Sequence, residues 1–347
     1  MRILCAGDAF MKPEFFVAAL REELGEGHEY ITNSSGWPDV PYCESDEIQE
    51  WVGDEKQLIH LMPGVQILVT HVAPVTAALL QAAPDLRMIS CSRGGPVNIN
   101  LQAATECGIS VAFVPGRNAQ AVAEYTIGLI IAGQRHIVES DAALRQNATW
   151  SGHLYAYDQA GTELIGHTLG LFGMGQIGVR VARLLRNFSM CIITYDPYID
   201  SVEAREVGVE KMHDFKRFLA EADILSLHMR LTPETRGIVN RETLSMMKRG
   251  AYLVNTARGK LIKTDDLVEA LATGQLSGAA LDVFEHEPLT ADNPLLRFPQ
   301  VIVTSHLAGS SREVAHRTAR WTAEEVGRFV RGESLRACAN PAVIKPC

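Results

Sequence analysis

Gly173, Gly175 and Gly178 follow a short apolar run at 169–172 and open a predicted helix, with Gln176 and Ile177 between the last two glycines. Strand, glycine turn and helix in this order make a place for a pyrophosphate. The first glycine permits the tight turn, the second lets the backbone approach the ligand, and the third lets the helix pack close to the strand. The helix start adds unpaired N–H groups and a positive dipole end. A second apolar run, 191–195, ends at Asp196, eighteen residues beyond Gly178. A carboxylate at that distance is placed to accept hydrogen bonds from an adenosine ribose. It also repels a 2′-phosphate, and Pro197 and Tyr198 rather than an arginine follow it. The pattern predicts NAD as the cofactor, with NADP less favoured.

Other polar residues stand just after predicted apolar strands. They are Arg93, His228, Arg258, Asp282 and His306, with Glu287 in the loop after Asp282. Ligands of open α/β sheets bind at those strand ends. Taken singly, a histidine there is more often structural than catalytic. Hydride transfer between a nicotinamide and a hydroxy acid needs a base for the hydroxyl proton, which histidine suits near neutral pH. It needs a carboxylate to orient that ring, and a cation to grip the substrate carboxylate and polarise the carbonyl, which the rigid arginine fork does well. His306, Glu287 and Arg258 are of the required types. Spacing alone does not select them from eleven histidines and many acids.

The elements that must position these residues alternate between strand and helix. Strands are predicted at 2–6, 67–70, 88–90 and 110–113, and helices at 13–24, 44–61, 76–81 and 101–107. That is a small α/β domain complete before the glycine turn appears. One long helix is predicted over 119–144, then an aromatic-rich stretch at 150–162, either a packed surface loop or an arm covering a partner or a site. The second α/β unit has strands near 169–172, 190–195, 223–227, 251–254, 278–282 and 300–303. Its helices include 176–186 and 265–272, the latter with Thr264 as the expected cap and Gly274 just past its end. A last helix at 311–331 has the spacing to return to the first domain. The fold class is therefore α/β, with two doubly wound parallel-sheet domains. Residues 1–115 and 311–347 form the expected substrate-binding domain, and 116–310 the inserted NAD-binding domain.

Composition sets outer limits. With 47% hydrophobic and 21% charged residues the chain reads as an ordinary globular protein, and a net charge of −9 argues against a broad nucleic-acid surface. Seven cysteines are scattered and form no C-x-x-C pair, so neither a disulfide framework nor a metal site is predicted. Together with the lack of a signal-peptide pattern or a membrane-length apolar run, this makes a cytoplasmic location the expectation.

Five stretches resemble the D-isomer-specific 2-hydroxyacid dehydrogenases, the family of D-3-phosphoglycerate dehydrogenase and glyoxylate/hydroxypyruvate reductase. The resemblance covers nearly the whole chain. Gly166-His167-Thr168-Leu169-Gly170 leading into Gly173-Met174-Gly175-Gln176-Ile177-Gly178 is similar to the family's nucleotide motif. Leu227-His228 with Leu231-Thr232-Pro233-Glu234-Thr235-Arg236-Gly237 resembles the second signature, and Asn255-Thr256-Ala257-Arg258-Gly259 the third. Asp282-Val283-Phe284-Glu285-His286-Glu287-Pro288 and Thr304-Ser305-His306-Leu307-Ala308-Gly309 resemble the last two. The resemblance implies Rossmann and flavodoxin-like domains and a catalytic trio of Arg258, Glu287 (rather than Glu285) and His306. It implies that His228, Thr256, Ala257, Arg258, Asp282, His306 and Gly309 join the glycine turn in binding the cofactor. It further implies that the Gly94 and Gly95 amides hold the substrate carboxylate, and that the chain forms a homodimer.

Two positions depart from the family pattern: Arg230 and Ser305 stand where proline is usual. Arg93 adds a cation to the substrate loop, which suits either a phosphate on a phosphorylated sugar acid or a structural salt bridge. The expected activity is interconversion of a small D-2-hydroxy acid and its 2-keto acid, with no nucleic-acid or membrane partner. The alternative is a catalytically weak dinucleotide-sensing protein resembling the corepressors of this fold, which a chain of this length without a disordered tail disfavours.

Overall fold

The computed structural model describes residues 1–36 and 42–343. Cys347, and 344–347 of the expected substrate domain, lie outside the described residues. The chain divides into two compact units, Met1–Asn118 with Ser310–Cys347, and Ala119–Gly309.

The first unit holds strands β1 (Arg2–Gly7), β2 (Glu29–Ser34), β3 (Ile67–Thr70), β4 (Met88–Cys91) and β5 (Ser110–Phe113) in the order β2-β1-β3-β4-β5, all parallel. This is the flavodoxin-like order, whose switch point lies between β1 and β3. Alternation assigns each side chain to a face. Leu4, Ala6, Leu68, Ile89 and Val111 pack on one side of the sheet, and Ile3, Cys5, Ile67, Val69 and Met88 on the other. On that second side, the helix Pro13–Leu24 places Phe16 and Leu20 against the sheet. The helix Arg312–Val330 joins them through Ala315, Ala319, Ala323 and Val326, a stripe at helical spacing.

The second unit has seven parallel strands. They are β6 (Thr168–Phe172), β7 (Cys191–Tyr195), β8 (Glu210–Lys211), β9 (Ile224–Leu227), β10 (Ala251–Asn255), β11 (Leu276–Leu281) and β12 (Val301–Val303). Their order, β12-β11-β10-β9-β6-β7-β8, is that of a Rossmann sheet with its switch point between β6 and β9. Leu169 and Leu171 face one core, and Phe172, Leu225 and Leu227 the other.

Four local expectations are corrected. Residues 44–54 are not helical. The helix is Glu55–Leu61, because Asp54 caps it by accepting from Lys56 N–H at 2.9 Å, and Glu50 and Gly53 upstream have positive φ. An antiparallel bridge between Cys43 and Trp51 organises that segment instead. The long helix at 119–144 is two helices, Ala119–Gln134 and Ile137–Asn147, broken where His136 adopts a left-handed φ of 52°. Thr264 does not cap its helix through its side chain; its hydroxyl and N–H both donate to Glu285, at 2.8 and 3.0 Å. The aromatic stretch is not a packed loop, since Trp150, Tyr155 and Tyr157 are at least 84% exposed. Among the described residues, no helix is long and apolar enough to cross a membrane.

Phe16 is fully buried between sheet and helices. Phe16→Ala is expected to cost about 3–5 kcal/mol of the first unit's stability by leaving a cavity. Urea unfolding of the full chain would show it as an earlier first transition; an unmoved transition would contradict this packing.

Candidate active site

The glycine turn links β6 to the helix Gln176–Leu185. Gly173 has φ 91°, and a Cβ there would lie 2.8 Å from the Met229 nitrogen, so both conformation and space demand glycine. A Cβ on Gly178 would lie 2.7 Å from the Gly173 carbonyl oxygen, whereas one on Gly175 would meet nothing within 4 Å. The two outer glycines thus serve the fold, and the middle one faces open space. Gly175 is the N-cap and brings no side-chain acceptor, so the helix start keeps donors for an anion. Asp196, at the end of β7, ties the turn down: Oδ2 accepts from Met174 N–H at 2.7 Å, and Oδ1 from Tyr198 and Ile199 N–H at 2.7 and 3.3 Å. An open middle glycine, an uncapped helix start and a carboxylate at the next strand end fit a dinucleotide.

His228 follows β9 across the switch point. Its Nε2 lies 2.9 Å from the Ser226 hydroxyl, and its Nδ1 is buried without a partner. Burial pushes its pKa down to about 4, so the ring is neutral at pH 7.

Arg258 stands on a turn built by a residue whose part in the site sequence reasoning missed. Asn255, 0% exposed at the end of β10, accepts from Ala257 N–H at 3.0 Å and donates to the Arg258 carbonyl at 2.9 Å. Thr256 turns its hydroxyl to Thr126 at 2.8 Å, and Ala257 is buried. Arg258 itself is exposed, its Nη1 donating to the Ala257 carbonyl at 2.8 Å. Gly259 lies against the next loop, since a Cβ on it would fall 1.8 Å from the Phe284 carbonyl oxygen.

That loop carries both acidic candidates. Glu285 is held by Thr264, whereas Glu287 accepts from Phe284 N–H through Oε1 at 3.0 Å and meets His306 Nδ1 through Oε2 at 3.0 Å. Asp282 sets the His306 segment in place. It is 1% exposed, and its Oδ1 accepts from the Thr304 hydroxyl at 2.6 Å and Leu307 N–H at 2.8 Å. Its Oδ2 accepts from Ala308 N–H at 2.8 Å, and its backbone carbonyl from His306 N–H at 2.9 Å. His306 has a left-handed φ of 57°, which these bonds hold. The surrounding protein opposes a charged His306 ring, and Arg258 opposes it further. The hydrogen bond and charge of Glu287, with help from Asp282, more than offset both, so the pKa is raised above 6.5. The structure therefore brings Arg258, Glu287 and His306 into one electrostatic group.

The unit spanning these residues matches the family model described as "D-isomer specific 2-hydroxyacid dehydrogenase, NAD binding domain" over residues 127–308. A glyoxylate reductase of Thermofilum pendens is 38% identical over 305 residues, covering 86% of this chain and 88% of that one. The chain belongs to the D-isomer-specific 2-hydroxyacid dehydrogenase family. A D-3-phosphoglycerate dehydrogenase of Methanocaldococcus jannaschii is 39% identical over 287 residues, which is 82% of this family member but only 54% of the longer relative. The crystal structure of the TT0316 protein from Thermus thermophilus superposes with a TM-score of 0.80 at 32% identity, covering 98% of this chain and 100% of that one.

The remaining sequence candidates fall in both units. Gly309 closes the second unit. Arg230 is exposed, and its carbonyl accepts from Thr235 at 2.7 Å; Ser305 is exposed beside His306. In the first unit, Gly94 and Gly95 have open space where a Cβ would stand. Arg93 between them and β4 is held in a salt bridge by Glu50, donates to the Glu50 carbonyl at 2.8 Å, and lies over the Tyr42 ring at 5.4 Å.

A histidine that is neutral when folded but gains a proton on unfolding makes stability depend on pH. For His228 the folded pKa of about 4 lies below the ordinary 6.5, so the unfolded chain binds more protons between these values. Stability is then lost as pH falls from about 6.5 to about 4, by about 2–3 kcal/mol at pH 4.5 from this residue. Urea midpoints at pH 7 and 4.5 should fall less in His228→Gln than in the wild type; an equal fall would rule out a buried neutral ring.

Proposed function

We propose that the chain interconverts a small D-2-hydroxy acid and its 2-keto acid, using NAD rather than NADP. The His306–Glu287 pair at 3.0 Å, with Arg258 acting on the same ring, carries this reading. Bound NAD supplies the hydride acceptor for oxidation, and its reduced form the donor for reduction. Gly173 to Gly178 receive the pyrophosphate at the helix start, with the Gln176 and Ile177 amides as donors. Asp196 receives the ribose hydroxyls with lone pairs left over from its three backbone bonds, and it disfavours a 2′-phosphate. His228, Thr256, Ala257 and Gly309 complete the cofactor wall.

Arg258 grips the substrate carboxylate and polarises its carbonyl through its remaining N–H groups. In reduction, protonated His306 gives its Nε2 proton to the forming alkoxide. Glu287 holds the ring by Nδ1, fixing which nitrogen faces the substrate, and stabilises the charged ring. In oxidation, neutral His306 takes the hydroxyl proton. Asp282 positions this base rather than reacting. In the first unit, Gly94 and Gly95 offer amides to a carboxylate. The relatives' names favour glyoxylate or 3-phosphoglycerate as the acid, and hydroxypyruvate and four-carbon sugar acids share the same head group. The exposed Trp150, Tyr155 and Tyr157 suit a homodimer contact.

A panel of 2-keto acids with NADH tests the activity. His306→Ala is expected to lower kcat at least about 100-fold while NADH still binds; undiminished turnover would remove His306 from the mechanism. Because the His306 pKa is raised, wild-type kcat/KM for reduction should hold at low pH and fall as pH rises through a value above 6.5. Glu287→Gln takes away the group that raises it, so the fall should move to lower pH. A limb at the same pH in both proteins would refute the pairing.

A further inference from the structure

The first unit buries an acid, an imidazole and a guanidinium in a row at the carboxyl ends of its strands. Asp8 follows β1, His71 follows β3, and Arg117 lies beyond β5. The first two flank the switch point of this sheet, where open α/β folds bind ligands. Asp8 is 1% exposed, and its Oδ1 accepts from Phe10 and Met11 N–H, both at 2.8 Å. Its Oδ2 is 2.7 Å from His71 Nδ1, and His71 Nε2 is 3.2 Å from Arg117 Nη2. A guanidinium only donates, so Nε2 must accept and Nδ1–H must donate to Asp8. Burial supports that assignment by keeping His71 neutral, its pKa pushed down to about 4.

The row ends on an unsatisfied cation. Arg117 is 9% exposed, and its Nε and Nη1 are buried without a hydrogen-bond partner. Ser92, 0% exposed at the end of the neighbouring strand β4, also has an unpartnered hydroxyl. Arg93 does not relieve Arg117: its charge opposes that of Arg117, and its own guanidinium is on Glu50. Buried donors without acceptors are costly, and a cation without one more so. An incoming oxyanion would remove that cost, offering acceptors to Nε and Nη1 and a negative charge to the guanidinium.

We propose that Arg117 is the centre of an oxyanion site within the first unit, taking the carboxylate or phosphate group of a small acid. The Asp8–His71 row fixes the guanidinium through Nη2 and leaves Nε and Nη1 for the ligand. The site uses no residue of the second unit and does not rest on the oxidoreductase reading.

Isothermal titration of the full chain with inorganic phosphate and with malonate, each in an Arg258→Ala background that removes the other carboxylate-gripping cation, tests this. One of the two should bind at one site per chain, and the one that binds identifies the group as phosphate or carboxylate. In that background Arg117→Met should weaken binding roughly 10–100-fold, and Arg117→Lys less. Arg117→Met should shift the melting temperature little, because removing a buried cation with two unpartnered N–H groups is set against losing the donor to His71 Nε2. If that variant does not fold, Arg117→Lys and Ser92→Ala carry the comparison. Absence of binding in that background, or binding that survives Arg117→Met in it, would each overturn the site. Failure of the wild type to turn over any keto acid would overturn the oxidoreductase reading and leave this result standing.

Discussion

Both sheets are parallel and covered on both faces, and that constraint governs what the rest of the chain does. A strand buried on two sides favours apolar side chains, and β3 and β9 are buried along their whole length with only Thr70 and Ser226 polar among them. Polar groups are driven to the strand ends. There the chain leaves the sheet, and backbone groups lose their ladder partners. The chemistry collects at those ends for the same reason: Asp8, His71, Arg93, Gly173, Asp196, His228, Arg258 and Asp282 all stand at or just beyond the carboxyl end of a strand.

Within the second unit, buried polar side chains build the turns and loops on which the exposed charged ones stand. Asn255 and Asp282 sit at the ends of adjacent strands, and each spends its hydrogen-bonding capacity on the backbone of the segment it supports. Arg258 and His306 ride on those segments. Glu287 braces its own loop by accepting from the Phe284 amide and reaches His306 at the imidazole. Preorganisation of this kind lowers the cost of ordering charged groups around a substrate.

The central strands were legible in the sequence because continuous burial writes an apolar run. The edge strand β2, Glu29–Ser34, was not, because a strand open on one side keeps polar residues such as Asn33 and Ser34. The break at His136 was not read either: Gly133 stands three residues before it but inside the helix, and no proline marks the left-handed position. The catalytic types were readable, but choosing Glu287 over Glu285 needed the family resemblance. In the structure Thr264 bonds Glu285, whereas Glu287 meets the His306 ring. Arg93 drew attention because it stands in a recognisable loop. Arg117 did not, because a missing acceptor is a property of three-dimensional neighbours and leaves no mark in the sequence.

Gly259 bears on how this protein can change. Its Cα faces the Phe284 carbonyl so closely that no side chain fits without parting the Arg258 turn from the loop that carries Glu287. The position is a dead end for stepwise evolution: each single replacement disturbs the arginine and the acid together. Drift toward new substrates must therefore enter through residues that can vary without moving this junction, and lineages that retain the activity should differ everywhere around it before they differ there.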